Sequence, residues 1–223
     1  MRRLLSIAVT SALLAAATGA VAQEGPTYRI QITNLTPGQS FTPQLVIAHR
    51  AVYRMFHAGE PASEALAVLA EGGDTNPLAD DAEPFAQDIQ TIPDLLGPGQ
   101  TASTTFNARP GALVSVAAIL IPTNDTFFAL NAEPLPASGT ASFLVPAYDA
   151  GSEANDQNCR HIPGPRCGGE GVSAPADSDE GFVHIGNGFH ETDLVDDAFD
   201  VLGPTGYDWR NPVARITIRR VNP

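Results

Sequence analysis

Hydrophobic positions along the chain fall into short runs, and most of the runs alternate with polar residues. In "YRIQITNL", Tyr28, Ile30 and Ile32 take one face and Arg29, Gln31 and Thr33 the other. Side chains along a strand alternate with period two, so this run predicts a strand with one buried and one wet face. The closing run "VARITIRRV" repeats the pattern, with Ala214, Ile216 and Ile218 opposite Arg215, Thr217 and Arg219. Further strands are predicted over "QLVIAHR", "TASTTFNA", "ASFLVP" and "FVHIG". "LVSVAAILIP" is apolar on both faces, which predicts a strand covered on two sides. The best helical stretch is "ASEALAVLAEGG", where Ser63 is placed to cap the start and Gly72 to end it. Residues 73–99 and the stretch from Ser152 to Glu180 read as loops, rich in Gly, Pro and acidic residues. Together these runs predict an all-β chain: an antiparallel β-sandwich with one or two short helices. A sandwich gathers its loops at two ends, where distant parts of the chain can share a site.

The ends of the chain and its charge narrow the setting. A basic start, an apolar run and small residues at Ala20 and Ala22 predict a signal peptide over residues 1–22. Residues 23–27 then read as a loose tail and 28–223 as one domain. The expected location is therefore secreted or periplasmic. The formal net charge of −13 becomes −15 once Arg2 and Arg3 leave with the leader, and every basic residue is Arg. Such an acidic chain repels nucleic acid and anionic lipid, and it attracts cations. Acidic surfaces also serve simply to keep exported proteins soluble. The two cysteines, Cys159 and Cys167 in "CRHIPGPRC", suit a disulfide in an oxidising compartment, worth roughly 2.5 kcal/mol in the chain-entropy view. The rival reading is a metal site of Cys159, His161 and Cys167, although the spacing fits no zinc pattern.

Two acidic loops, over residues 122–131 and 146–156, share a character. "PTNDTFFALN" follows one apolar strand and "PAYDAGSEAND" another, each with a Pro at the strand end and an Asp within three residues. If both strands run toward one end of the sandwich, Asp125, Asn131, Asp149 and Glu153 converge there. Calcium is a hard cation that takes six to eight oxygens in a tolerant geometry, and carboxylates, amides and backbone carbonyls supply them. Gathering carboxylates without a cation is costly, because like charges repel. The alternative is a pair of solvated turns in which Asp and Asn cap backbone amides.

The segments "ITNLTPGQSFTPQLVIAH", "GEPASEALAVLAEGGD", "PTNDTFFALN", "YDAGSEAND" and "PVARITIRRV" resemble, in order, bacterial members of the spondin-domain family. The resemblance runs from about Tyr28 to Val221. It implies a fold similar to C2-type β-sandwiches and, by analogy with animal members, calcium held by loops at one end. Carried over residue by residue, it implies Asp125, Asn131, Asp149 and Glu153 as ligands. Asn131 and Glu153 each stand where the animal pattern has Asp: the first loses a charge, the second reaches further. It implies an extracellular recognition or adhesion-like role but identifies no ligand; the partner expected is an extracellular protein or glycan.

Other stretches suggest less. Asp74, Asp80, Asp81 and Glu83 form one acidic cluster, and Glu191, Asp193, Asp196, Asp197 and Asp200 another. Neither has the alternation and Gly of an EF-hand loop, so both read as solvated. His49, His57, His161, His184 and His190 are scattered, with His49 read as satisfied by neighbouring backbone. "HETDL" lacks the second His of a zincin, and there is no nucleophile elbow or phosphate-binding Gly loop. A secreted hydrolase with a loop-end site is the alternative to a non-enzymatic module, since a triad is defined by geometry rather than order. A third reading is a structural domain stabilised by an ion. In "YDWRNP", Trp209 reads either as a partner anchor or as a plug at one end of the sandwich.

Overall fold

The computed structural model describes residues 25–172, 179–189, 202 and 206–221. The predicted leader 1–22 and the acidic stretch 190–200 lie outside them. Strand β1, Thr27–Asn34, starts within the predicted tail and buries Tyr28, Ile30 and Ile32 while its other face stays wet, as the alternation predicts. After it come β2 (Ser40–Phe41), β3 (Gln44–His49), helices α1 (Glu64–Gly72) and α2 (Asn76–Ala82), then β4 (Ala86–Ile92) and β5 (Thr101–Asn107). The second half holds β6 (Leu113–Ile121), β7 (Thr126–Pro134), β8 (Thr140–Val145), β9 (Ala147–Asp149), β10 (His184–Ile185) and β11 (Ala214–Arg220).

The strands make two antiparallel sheets. The smaller runs β5-β1-β11-β8 and the larger β10-β9-β7-β6-β3-β4, with β2 paired beside β6. Their facing surfaces form the main core, which takes Ile30, Ile32, Ile216 and Ile218 from the small sheet. The larger sheet contributes Val46, Val116, Ala118 and Phe128. The chain is thus an all-β sandwich with two short helices.

The larger sheet is covered on its other face too. Leu45, Ile47, Ala117 and Phe127 point away from the sandwich interior and pack against Leu66, Leu69 and Leu78 of the helices. Alternate residues of β3, β6 and β7 therefore enter two different cores, which is why their sequences are apolar without alternation. Helix α1 begins where predicted: the Ser63 hydroxyl accepts from the Leu66 amide at 3.2 Å. It ends one residue later than predicted, with Gly73 rather than Gly72 in the left-handed region (φ 73°).

Two loop predictions are corrected. Residues 73–99 contain α2, a 3-10 turn over Glu83–Phe85 and β4. Asp80 and Asp81 of α2 and Pro84 of the 3-10 turn are exposed, while Leu78 and Ala82 face the core. "PTNDTFFALN" is a loop only as far as Asp125; from Thr126 it is strand β7. The apolar residues Phe127 to Leu130 decide that, because burial on both faces outweighs the turn-forming residues before them. Trp209 takes the plug role: it is buried against Phe189 and joins the main core.

Candidate metal centre

Three segments meet at one end of the larger sheet: the β6–β7 turn, the loop after β9, and the residues leading into β10. Pairing aligns Thr126 of β7 with Asp149 of β9, and Asp149 with His184 of β10. Asp125 stands just before that row, and its carbonyl accepts from the Ala150 amide at 3.3 Å. Asp125 and Asp149 thus lie side by side although they come from separate connections. The turn and loop are also tied to each other: Asn124 Nδ2 donates to Asp156 Oδ1 at 3.0 Å, and the Gln157 amide donates to Asn124 Oδ1 at 3.1 Å.

The carboxylates here are deeply buried. Asp125, Asp149 and Glu153 are 0, 1 and 4% exposed, which removes the water that would otherwise solvate their charge. Asp125 Oδ2 accepts from the backbone amides of Ser152 (2.8 Å) and Glu153 (3.1 Å). Among the described residues, Asp125 Oδ1 is buried with no hydrogen-bond partner. Burial pushes the Asp125 carboxyl well above the usual carboxylate range; the charges of Asp149 and Glu153 push the same way, and the two amides pull back. Asp149 is also raised by burial, and by Glu180, against the pull of Asn155, the Gly151 amide and His184.

Asp149 is the hub. Its Oδ1 accepts from the Gly151 amide at 2.9 Å and its Oδ2 from Asn155 Nδ2 at 2.8 Å. Asn155 Nδ2 also donates to Glu180 Oε1 at 3.1 Å, so one amide bridges two carboxylates. His184 Nε2 lies 3.3 Å from Asp149 Oδ1, within ion-pair reach but outside hydrogen-bond alignment. One ligand atom from each of Asp149, Glu180 and His184 falls within 4.8 Å of the others. That group can hold a metal ion. Gly151 makes it possible: it turns the chain at φ 64°, and a Cβ there would sit 2.4 Å from the Phe182 carbonyl oxygen, closer than any side chain tolerates. Its own carbonyl accepts from the Gly181 amide at 2.8 Å, drawing the segment with Glu180 and His184 against the loop.

The fold therefore treats the four residues expected from sequence unequally. Asp125, Asp149 and Glu153 gather at this end, with only Asp149 in the group whose ligand atoms converge. Asn131 is not brought to it. It sits five residues along β7 from Thr126, roughly 16 Å away at strand rise. There its Oδ1 accepts from the Met55 amide at 3.1 Å and its Nδ2 donates to the Phe56 carbonyl at 2.9 Å. The expectation of a single loop over residues 122–131 hides this separation. Sequence reasoning misses Glu180 and His184, because no spacing marks them. Their one signal is "FVHIG" as a strand, whose partner the sequence cannot name.

Beyond the loop, Cys159 and Cys167 form a disulfide, which closes off the Cys159–His161–Cys167 metal reading. His161 Nδ1 instead lies 2.6 Å from Asp156 Oδ2. His49 is buried and held by the Arg50 carbonyl (2.9 Å) and the Ser115 hydroxyl (2.8 Å). A disulfide is at home in an extracellular or periplasmic setting, and among the described residues no helix is long and apolar enough to cross a membrane. Comparison with protein-family models finds no match to the chain, and comparison with curated proteins finds none either.

Proposed function

We propose that the chain is a secreted, calcium-binding β-sandwich module of the spondin type, with a recognition or adhesion-like role outside the cytoplasm. Asp125, Asp149 and Glu153 supply the charge for the ion, and carbonyls and amides of the 150–156 loop complete its oxygen shell. The observation that carries the reading is Asp125: a fully buried carboxylate beside a second buried carboxylate, with Oδ1 lacking a hydrogen-bond partner among the described residues. Such a group is costly alone and favourable with a divalent cation beside it. The spondin-like motifs "PTND" and "YDAG" fall on these same two connections. A recognition role is supported by a cleft of ≈ 410 Å³ between β7 and β8, lined by Glu133, Leu144 and Tyr148 among others. Leu144 is 65% exposed there, and Tyr148 adjoins Asp149 in the chain. The partner expected is an extracellular protein or glycan.

The test is a thermal melt. Millimolar calcium is expected to raise the melting temperature and EDTA to lower it, with Asp125→Asn and Asp149→Asn each blunting both shifts. An unchanged melt at millimolar calcium sinks the reading. A glycan and matrix-protein array, probed with and without calcium, then tests recognition.

A further inference from the structure

We infer that Asp149, Glu180 and His184 form a second metal site, for a transition-metal dication of the zinc class. It shares Asp149 with the calcium reading but stands on Glu180 and His184, which that reading does not use. His184 Nδ1 lies 3.1 Å from the Ile185 carbonyl, and a carbonyl only accepts, so Nδ1 carries the ring proton. Nε2 is then the nitrogen left to ligate. That atom is buried, finds no hydrogen-bond partner among the described residues, and lies 3.3 Å from Asp149 Oδ1. The β9–β10 pairing holds the two atoms at that separation, and a Glu180 oxygen lies within 4.8 Å of both. A ligating histidine whose other nitrogen donates to a backbone carbonyl is the usual outer-shell arrangement of metal sites.

The distances and donor types then select the metal. Zinc bonds of about 2.0–2.2 Å to nitrogen and oxygen give a tetrahedral edge of about 3.4 Å, close to the 3.3 Å between Nε2 and Oδ1. Glu180 is exposed and able to close in as the third ligand, and Asn155 already aims it at Asp149. Calcium and magnesium take oxygen ligands, so the imidazole counts against them; one nitrogen and two carboxylates suit zinc and its neighbours. Three protein ligands leave a fourth position for water or a donor from a partner. The His184 side chain is 25% exposed, which provides a route from solvent.

Zinc chloride titrated calorimetrically into the tag-free, EDTA-stripped full chain should bind one ion per chain. Cobalt chloride should give the visible absorption of a four-coordinate site. His184→Gln and Glu180→Gln should each weaken zinc by about tenfold or more and abolish the cobalt spectrum, while the calcium melt shift persists. Asp125→Asn should do the reverse, so failure of one site is distinguishable from failure of the other. Glu180 is exposed, so Glu180→Gln serves as the variant that keeps its fold if His184→Gln does not. Zinc binding that is absent, or that survives both substitutions unchanged, overturns the inference.

Discussion

At the residue scale, chemistry alone does not separate a ligand from a clamp. By residue type, Asn131 and Asp125 are the same kind of oxygen donor. In the fold, Asn131 spends both ends of its amide on the backbone of Met55 and Phe56, and Phe56 packs edge-on against Phe127 and Tyr148. Asn131→Ala is therefore expected to destabilise by about 1–3 kcal/mol, through two lost hydrogen bonds and the partly buried backbone groups left behind. The shift of the melt on adding calcium should match the parent's. Chemical denaturation with and without calcium measures both; a loss of the calcium shift would restore Asn131 to the site. Asp125 differs because its charge is buried and half satisfied, a condition that its position before β7 imposes and its residue type does not reveal.

At the element scale, the site exists because β10 lands beside β9. The two strands are short, three residues and two, so their pairing is weak by itself. The loop after β9 holds them together by backbone contact between Gly151 and residues 181–182. Gly151→Ala forces a Cβ into the Phe182 backbone at a positive φ, so the 179–184 segment must shift away. Metal affinity is expected to fall more than tenfold, and the melting temperature to fall as well, because Val183 of that segment is buried in the second core. Titration calorimetry beside a melt checks this, and unchanged affinity would show that Gly151 does not set the site. The strand alternations of β1 and β11 are legible because each has one wet face. Strand β7 reads as loop because both its faces are covered and the residues before it are turn-formers.

At the scale of the whole molecule, buried titratable groups make stability depend on pH. Burial lowers the pKa of His49 below its ordinary value, with the Arg54 charge adding to this against the Arg50 carbonyl. The unfolded chain takes up a proton near the ordinary histidine pKa of about 6.5, and the folded chain resists it. The contribution of His49 is thus fully present above that pH and is lost as pH falls toward the folded value, at no more than about 1.4 kcal/mol per pH unit. His49→Gln should show a smaller fall in stability between pH 7.5 and 5.0 than the parent. Comparing variant with parent cancels Asp125 and Asp149, whose raised pKa values act in the opposite sense. Equal falls in the two proteins would show that His49 titrates as it does in the unfolded chain.

Residue order by itself determined the class of fold, because period-two alternation depends only on neighbours along the chain. It also pointed to the disulfide, since two cysteines so close have one short loop to close, and it placed acidic residues at the ends of two strands. Only the tertiary structure decided which of those residues meet. Burial, register and the arrival of one strand beside another are long-range facts: they carried Asn131 away along β7 and brought Glu180 and His184 to Asp149. No local pattern encodes an encounter between side chains whose strands pair only after the whole sandwich has closed.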